Sequence, residues 1–510
     1  MDEKLQNQTP FLEALKTYLK EHNTSFDVPG HHQKGVDDGF SLIYGEKVYL
    51  SDFNAPRGLD NLANANGVIK QAEKLWADAT GSKKARFLVN GSTSGILIML
   101  LSCLKADEKI ILPRNVHKSV INGLVLCGAS PVFIMPEIDL STEIVNQVSF
   151  EQWKKIIDQN LDAKAIFLIN PTYFGATCDL KKIINYAHEK NMLVLVDEAH
   201  GSHFYFNDKF PTTAIKAGAD MATLSVHKTG GSLTQSSVLL INSDKIDDYN
   251  VNKAFNLITT TSPNMMFIAS LDAARHYMVF KGKERLDEVL NLYNYAFENI
   301  NNIKGFKVRG KKHFQENGAF DFDCSKLVIE IEKIKLSGFE IYNLLKDKYN
   351  VQIELAETYV LLCILSIGTY KEDLDKLIFA LRDISKNYFD DEITYQDNHY
   401  FQSFPKSYCR PRDAYHAPLK VVNYKEALNC VSKDMVMIYP PGIPIIIPGE
   451  VFTVDVIKQI DYYKKNNAKI LSDFGDDNVG VVDLEEWEKL KLTNFWYFIK
   501  CIELLYIFKI

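Results

Sequence analysis

At 510 residues and 58.1 kDa the chain is too long for one ordinary domain, and 46% hydrophobic with 24% charged residues excludes a disordered or collagen-like protein. The net charge of −7 comes from dispersed acids with no long basic block, which argues against nucleic acid or an anionic membrane as a partner. Eight cysteines without a CxxC pair predict buried reduced thiols, no metal site and no disulfide framework, and the polar start Met1-Asp-Glu-Lys shows no signal peptide, so a cytoplasmic protein is expected.

In chain order, Phe11, Leu12, Leu15, Tyr18 and Leu19 lie at helical spacing and predict an amphipathic helix over 10–21. Short apolar runs follow at Arg86-Val89, Lys109-Leu112, Pro131-Met135, Ala165-Ile169, Met192-Val196, Ala222-Val226 and Ser237-Ile241. Helical patterns at Ile96-Leu104 and Leu180-Lys190 lie between several of them. Such alternation predicts an α/β unit with a mostly parallel sheet, whose ligands sit beyond the strand carboxyl ends. Past about residue 275 the pattern turns to helices and antiparallel-looking strands at Lys326-Ile331, Val351-Leu355 and Val360-Ile367. Residues 386–412 read as an exposed linker, before a third segment centred on 439–450. The expected division is an N-terminal helical segment (1–24), a large domain (25–275), a small α+β domain (276–395), a C-terminal domain (396–490) and an apolar tail (491–510).

The richest stretch is Ser225-Val-His-Lys228-Thr-Gly-Gly231, a lysine just past an apolar strand in a loop of hydroxyls and glycines. An aspartate ends another such strand 31 residues upstream, in Val196-Asp197-Glu198-Ala199-His200. A lysine amine that forms a Schiff base and a carboxylate that keeps a ring nitrogen protonated are what pyridoxal 5'-phosphate requires. Helix N-capping is the other use of an Asp at such a strand end. Asn90-Gly-Ser-Thr-Ser-Gly95 precedes an apolar helix, so Gly91, Ser92, Thr93 and Ser94 are candidates for the phosphate cradle, with Ser225 and His227 as further phosphate donors. His117, past another strand end, is a candidate to stack on the ring and assist proton transfer, against a plain surface position at a helix start. His200 is expected either to orient Asp197 or to face the substrate.

The motifs Phe87-Leu-Val-Asn-Gly-Ser-Thr-Ser-Gly95, Arg114-Asn-Val-His-Lys-Ser119, Asp197-Glu-Ala-His-Gly201, Ser225-Val-His-Lys-Thr229, and Tyr439-Pro-Pro-Gly-Ile-Pro444 with Pro448-Gly-Glu450 resemble the bacterial ornithine/lysine/arginine decarboxylase family. The resemblance runs from about Pro10 to Val482. It implies the aspartate-aminotransferase-like fold type I, with Lys228 as Schiff-base lysine, Asp197 as pyridinium partner and His117 as stacking residue. It implies a homodimer or higher homo-oligomer with sites at the subunit interface, where Thr261 and Ser262 would touch the neighbour's phosphate. The lack of room for an N-terminal wing domain points to the compact branch that includes biosynthetic arginine decarboxylases. The implied reaction is decarboxylation of a basic L-amino acid, arginine to agmatine ahead of lysine or ornithine. An aminotransferase or a non-catalytic regulatory homologue is the alternative.

The chain departs from the family at 52–61, where relatives show a Thr-Glu pair, and at Pro29-Gly-His-His-Gln33. A distal acid for a cationic substrate is expected from Glu450 or Glu354. The tail 494–510 carries Lys500, Glu503 and Lys509 and is too short and charged for a membrane span.

Overall fold

Short strands that are apolar at every position can be stable only where both sheet faces are covered, and that is how this chain uses them. The computed structural model describes residues 2–36, 38–139, 141–393, 405–438, 443–466 and 469–490. Seven strands form the main sheet: β1 (Lys84–Leu88), β2 (Lys109–Pro113), β3 (Ser130–Ile134), β4 (Ala165–Ile169), β5 (Leu193–Asp197), β6 (Met221–Leu224) and β7 (Ser237–Ile241). Their order is β1-β7-β6-β5-β4-β2-β3, with β3, β2, β4, β5 and β6 parallel and β7 antiparallel to both neighbours. The carboxyl ends of β4, β5 and β6 therefore share one edge, where Ile169 lies beside Asp197 and Asp197 beside Thr223.

Helices cover the sheet. Helix α1 (Pro10–Lys20) is docked by its first turn: the N–H groups of Phe11 and Leu12 donate to Asp272 Oδ2 at 3.0 and 3.3 Å, and Asp272 is itself paired with buried Arg275. Helix α2 (Gly91–Cys103) is apolar from Ile96 to Leu101 because that part is sandwiched between the sheet and α3 (Lys118–Cys127). Gly95 makes the close approach to the sheet: a Cβ there would lie 2.2 Å from Thr223 Oγ1 and 2.8 Å from Leu88 Cδ1. Helix α4 (Met265–Asn301) has 37 residues and, at roughly 1.5 Å per residue, links two cores. Met265, Ile268 and Leu271 pack in the first, and Val289, Ala296 and Ile300 in the second.

The second core lies on an antiparallel sheet of β8 (Phe306–Arg309), β9 (Lys326–Ile331), β10 (Leu355–Glu357) and β11 (Val360–Ile364), in the order β10-β11-β9-β8. A third core, with Phe452, Val456 and Ile460, lies under α5 (Val454–Lys465). Arg114, just past β2, clamps this region to the main sheet. Its guanidinium bonds both Glu450 oxygens at 3.0 and 2.8 Å and the carbonyl of Pro444 at 3.0 Å, all buried. Such a forked pair is strongly orienting, and removing either partner strands a buried charge.

Several expectations shift. The strand expected over 222–226 ends at Leu224, because Val226–Thr229 forms one helical turn with the Lys228 N–H on Ser225 O and the Gly230 N–H on Val226 O. The strand expected over 351–355 is displaced to 355–357, since Thr358 and Tyr359 make the turn that pairs Glu357 with Val360. The supposed linker 386–412 is largely structured where described: helix runs to Tyr388, Pro405 is buried, and Val451 N–H donates to Lys406 O. Its residues 394–404, the tail 491–510 and 439–442 of the proline motif lie outside the described residues. Of the seven described cysteines, all are free thiols.

Gly95→Ala is expected to lower the unfolding free energy by about 1–3 kcal/mol, as overpacking does in a filled interface. Denaturant unfolding checks this; an unchanged midpoint would mean that α2 can move off the sheet at no cost.

Candidate active site

The shared edge of β4, β5 and β6 opens into a cavity of about 190 Å³, enclosed between the main sheet, the second sheet and the C-terminal region. Asp197, the last residue of β5, reaches it with one oxygen held by the Ala199 N–H at 3.0 Å. The other oxygen has no partner among the described residues. Burial raises the Asp197 carboxyl above its usual range, against the pull of the Ala199 amide and of Lys228.

Lys228 stands on the helical turn after β6, with Nζ 2.8 Å from His200 Nε2 and 5.5 Å from the centre of the Tyr173 ring. Burial lowers its ammonium below the usual lysine value, and Asp197 and Glu354 oppose that shift. A lysine so placed sheds its proton readily and is a nucleophile. His200 is buried against Tyr173, ring centres 4.4 Å apart, and burial followed by the Lys228 charge drives it well below the ordinary imidazole range. It therefore pairs with the lysine rather than orienting Asp197. His117 caps α3: its Nδ1 accepts from the Ser119 N–H at 3.3 Å and lies 2.8 Å from Ser119 Oγ. Burial, then Lys228 and Lys118, push it down to about 4, so it is neutral at pH 7 with its proton on Nε2.

At the start of α2, Gly91 has φ +71° and Asn90 gives no side-chain cap. The amides of Ser92 and Thr93 have no partner among the described residues, which leaves donors free at a positive helix end. Ser225 Oγ donates to Ser92 Oγ at 2.8 Å, joining the cradle to the lysine loop. The Ser94 hydroxyl is spent on Gly91 O, so only its amide faces outward use, and Thr93 is exposed. His227 Nδ1 donates to Ser236 O at 2.9 Å, leaving Nε2 as an acceptor in the neutral ring, which burial favours. His227 can thus donate to a phosphate only when protonated. Thr261 and Ser262 are exposed and stand apart from the cavity of their own chain.

Three unmet needs coincide here: free amides at the α2 terminus, an unpartnered Asp197 oxygen, and a proton-shedding amine. They fit the phosphate, the ring nitrogen and the aldehyde of pyridoxal phosphate. Thr223 Oγ1, beside Asp197 in the sheet, is a further buried polar atom without a partner.

Sequence reasoning missed the far wall. Glu143, Glu357, Tyr463 and Gln459 line the same cavity. Glu357 shares strand parity with buried Ile353 and Leu355, the signal that would have exposed it. Glu450, expected as a distal acid, is consumed by Arg114 and the Ile447 N–H, and Glu354 is exposed and accepts from the Tyr173 hydroxyl.

Residues 9–373 match the family described as Orn/Lys/Arg decarboxylase, major domain, and residues 394–479 match Orn/Lys/Arg decarboxylase, C-terminal domain. An arginine decarboxylase of Bacillus subtilis is 38% identical over 457 residues, covering 89% of this chain and 93% of its own. One from Halalkalibacterium halodurans is 37% identical, covering 91% and 94%. The Francisella novicida lysine decarboxylase LdcF superposes with a TM-score of 0.81 at 20% identity, covering 93% of this chain and 81% of that one. At that identity the likeness shows the shared fold.

Burial raises Glu143 from 4.5 to about 7, although the Tyr462 hydroxyl works against it. Burial and the neighbouring Glu143 raise Glu357 from 4.5 to about 8. An unfolded chain releases these protons near 4.5, whereas the fold keeps them, so their contribution is full below 4.5 and is lost as pH rises through 7 to 8. Glu357→Gln, neutral at every pH, is expected to melt with wild type at pH 5 and about 3 °C above it at pH 8.5, without ligands. Equal differences at both pH values would contradict the shift.

Proposed function

The chain belongs to the Orn/Lys/Arg decarboxylase family, and from that premise we propose that it decarboxylates L-arginine to agmatine and carbon dioxide. The arginine choice rests on its arginine decarboxylase relatives, at 35–38% identity over about nine-tenths of the chain. The observation that carries the chemistry is the pairing of a half-buried Lys228 amine, 2.8 Å from a neutral imidazole, with a free Asp197 oxygen in one cavity.

Pyridoxal phosphate, the family's cofactor, supplies a carbonyl that bonds an amine and a protonated ring that draws electrons from the bond to the leaving carboxylate. The rest falls to the protein. The Ser92 and Thr93 amides and the linked hydroxyls of Ser92 and Ser225 would hold the phosphate. Asp197 would hold the cofactor's ring nitrogen in its protonated form through its unpartnered oxygen. Lys228 Nζ would give way to the substrate amine and take up the proton which that amine sheds, with its N–H held toward His200 Nε2. The same Nζ can return a proton to the substrate's α-carbon. His117, fixed through Nδ1 by Ser119, would offer its ring face to the cofactor and an Nε2–H to the site. Ile96, Ile169, Pro171 and Ala199 form apolar wall around the reacting atoms, where charge separation is costly and loss of neutral carbon dioxide is favoured.

We assign Thr261 and Ser262 to a neighbouring copy in a homodimer, because they are exposed and do not line the cavity of their own chain. Phe26, Val28, Leu42 and Ile43, each more than 60% exposed, support such an assembly. No helix among the described residues is long and apolar enough to cross a membrane.

Purified enzyme given arginine, lysine and ornithine separately should release carbon dioxide and agmatine from arginine at least about tenfold faster than amine from the others. A preference for lysine or ornithine would overturn the arginine assignment, and transamination without carbon dioxide would overturn decarboxylation. Lys228→Ala should lose the visible absorbance of lysine-linked cofactor and at least about 10³-fold in turnover, the scale on which covalent catalytic groups act.

A further inference from the structure

The chemistry at Lys228 leaves the opposite wall of the cavity unexplained. Glu143 follows β3 on the turn closed by the Ile138–Val145 bridge, and Glu357 ends β10. Both line the cavity that holds Lys228, with Val456, Gln459 and Tyr463 of α5 at helical spacing on the same wall. The Tyr462 hydroxyl donates to the two Glu143 oxygens at 3.3 and 3.1 Å, which fixes that carboxyl in place. The Glu357 side chain has no hydrogen-bond or salt-bridge partner among the described residues.

Among the described residues, no cation bonds this pair. The basic residues along the cavity are Arg114, His117, His200 and Lys228. Arg114 is committed to Glu450 and the carbonyls of Pro444 and Ile445, and the other three surround the cofactor end. Half-buried acids lining a cavity without a counter-ion destabilise a fold unless they stay protonated or meet a positive ligand. Their elevated protonation reflects that missing partner. An extended amino acid attached at the Lys228 end would carry its side chain toward them.

Resting on the reading that the substrate is a basic amino acid, we propose that Glu143 and Glu357 form the subsite for the substrate's distal cation and select the guanidinium of arginine. A guanidinium offers several N–H donors in a plane and can bond two carboxyls at once, whereas an ammonium is a compact point charge. With one of the two carboxyls protonated, the pair carries a single negative charge against the single positive charge of the ligand. The C-terminal region thus contributes to specificity through α5 and Tyr462.

The test uses holoenzyme carrying Glu143→Gln, Glu357→Gln or Glu357→Asp. Each glutamine should raise KM for arginine about tenfold to a hundredfold, the range of a lost charge-assisted hydrogen bond, with a much smaller change in kcat and unaltered cofactor absorbance. Calorimetric binding of agmatine should weaken by the same factor, and Glu357→Asp should retain more affinity than Glu357→Gln. Rejection of citrulline, the uncharged counterpart of arginine, should relax in both glutamine variants. Wild-type agmatine affinity and arginine KM in both glutamine variants would overturn the subsite while leaving decarboxylation intact. If wild type instead acts on lysine or ornithine, the arginine assignment and the guanidinium choice fall. Weaker binding of that substrate in the variants would then support the cation subsite, and unchanged binding would overturn it.

Discussion

The whole site depends on holding a lysine amine inside the protein where it is more easily neutral than in water. Burial is the larger influence on Lys228, and the nearby Asp197 charge only partly reverses it. Both groups stand at strand ends of a sheet buried on both faces, so their positions are set by the most rigid part of the molecule. The sheet's parallel run places Asp197 at the end of β5 and the Lys228 turn just past β6, its neighbour. Because both side chains hang from adjacent strands, neither needs a flexible loop to find the other.

The same low-polarity environment shapes the histidines. His200 and His117 are both held neutral by burial first and by the Lys228 charge second. A neutral imidazole keeps one nitrogen as an acceptor, which a histidinium beside a lysine would lack. Enclosure in turn depends on the C-terminal region. The fork of Arg114 on Glu450 ties that region to the end of β2, and Pro444 and Ile445 then become cavity wall. The residues that enclose the reaction are therefore far apart in the chain, and the long α4 keeps the second core in register with the first.

The cofactor end is legible in the sequence because each element there is local: an apolar strand, then a residue with a function, then a turn or helix start. Ala165–Ile169 and Ser237–Ile241 coincide with observed strands for that reason, as does Lys326–Ile331 in the second sheet. The far wall is not legible in this way. Glu143, Glu357 and Tyr463 are separated by more than 200 and 100 residues in turn, and only tertiary packing puts them on one cavity. Glu450 misled because a buried acid in a proline-rich motif looks available until its arginine is found across the fold. Apolar character continues past the strand end at Leu224 into Val226, which is buried in a helical turn, so the pattern alone does not mark where the strand stops.

Reduction of the holoenzyme with borohydride, followed by peptide mapping, addresses the central claim most directly. Lys228 is the amine that bonds the cofactor, so a single pyridoxyl-labelled peptide containing Lys228 is predicted. Label on Lys326, a fully buried lysine held instead by Asp323 and Ser325, or on any other lysine with Lys228 unmodified, would contradict the account.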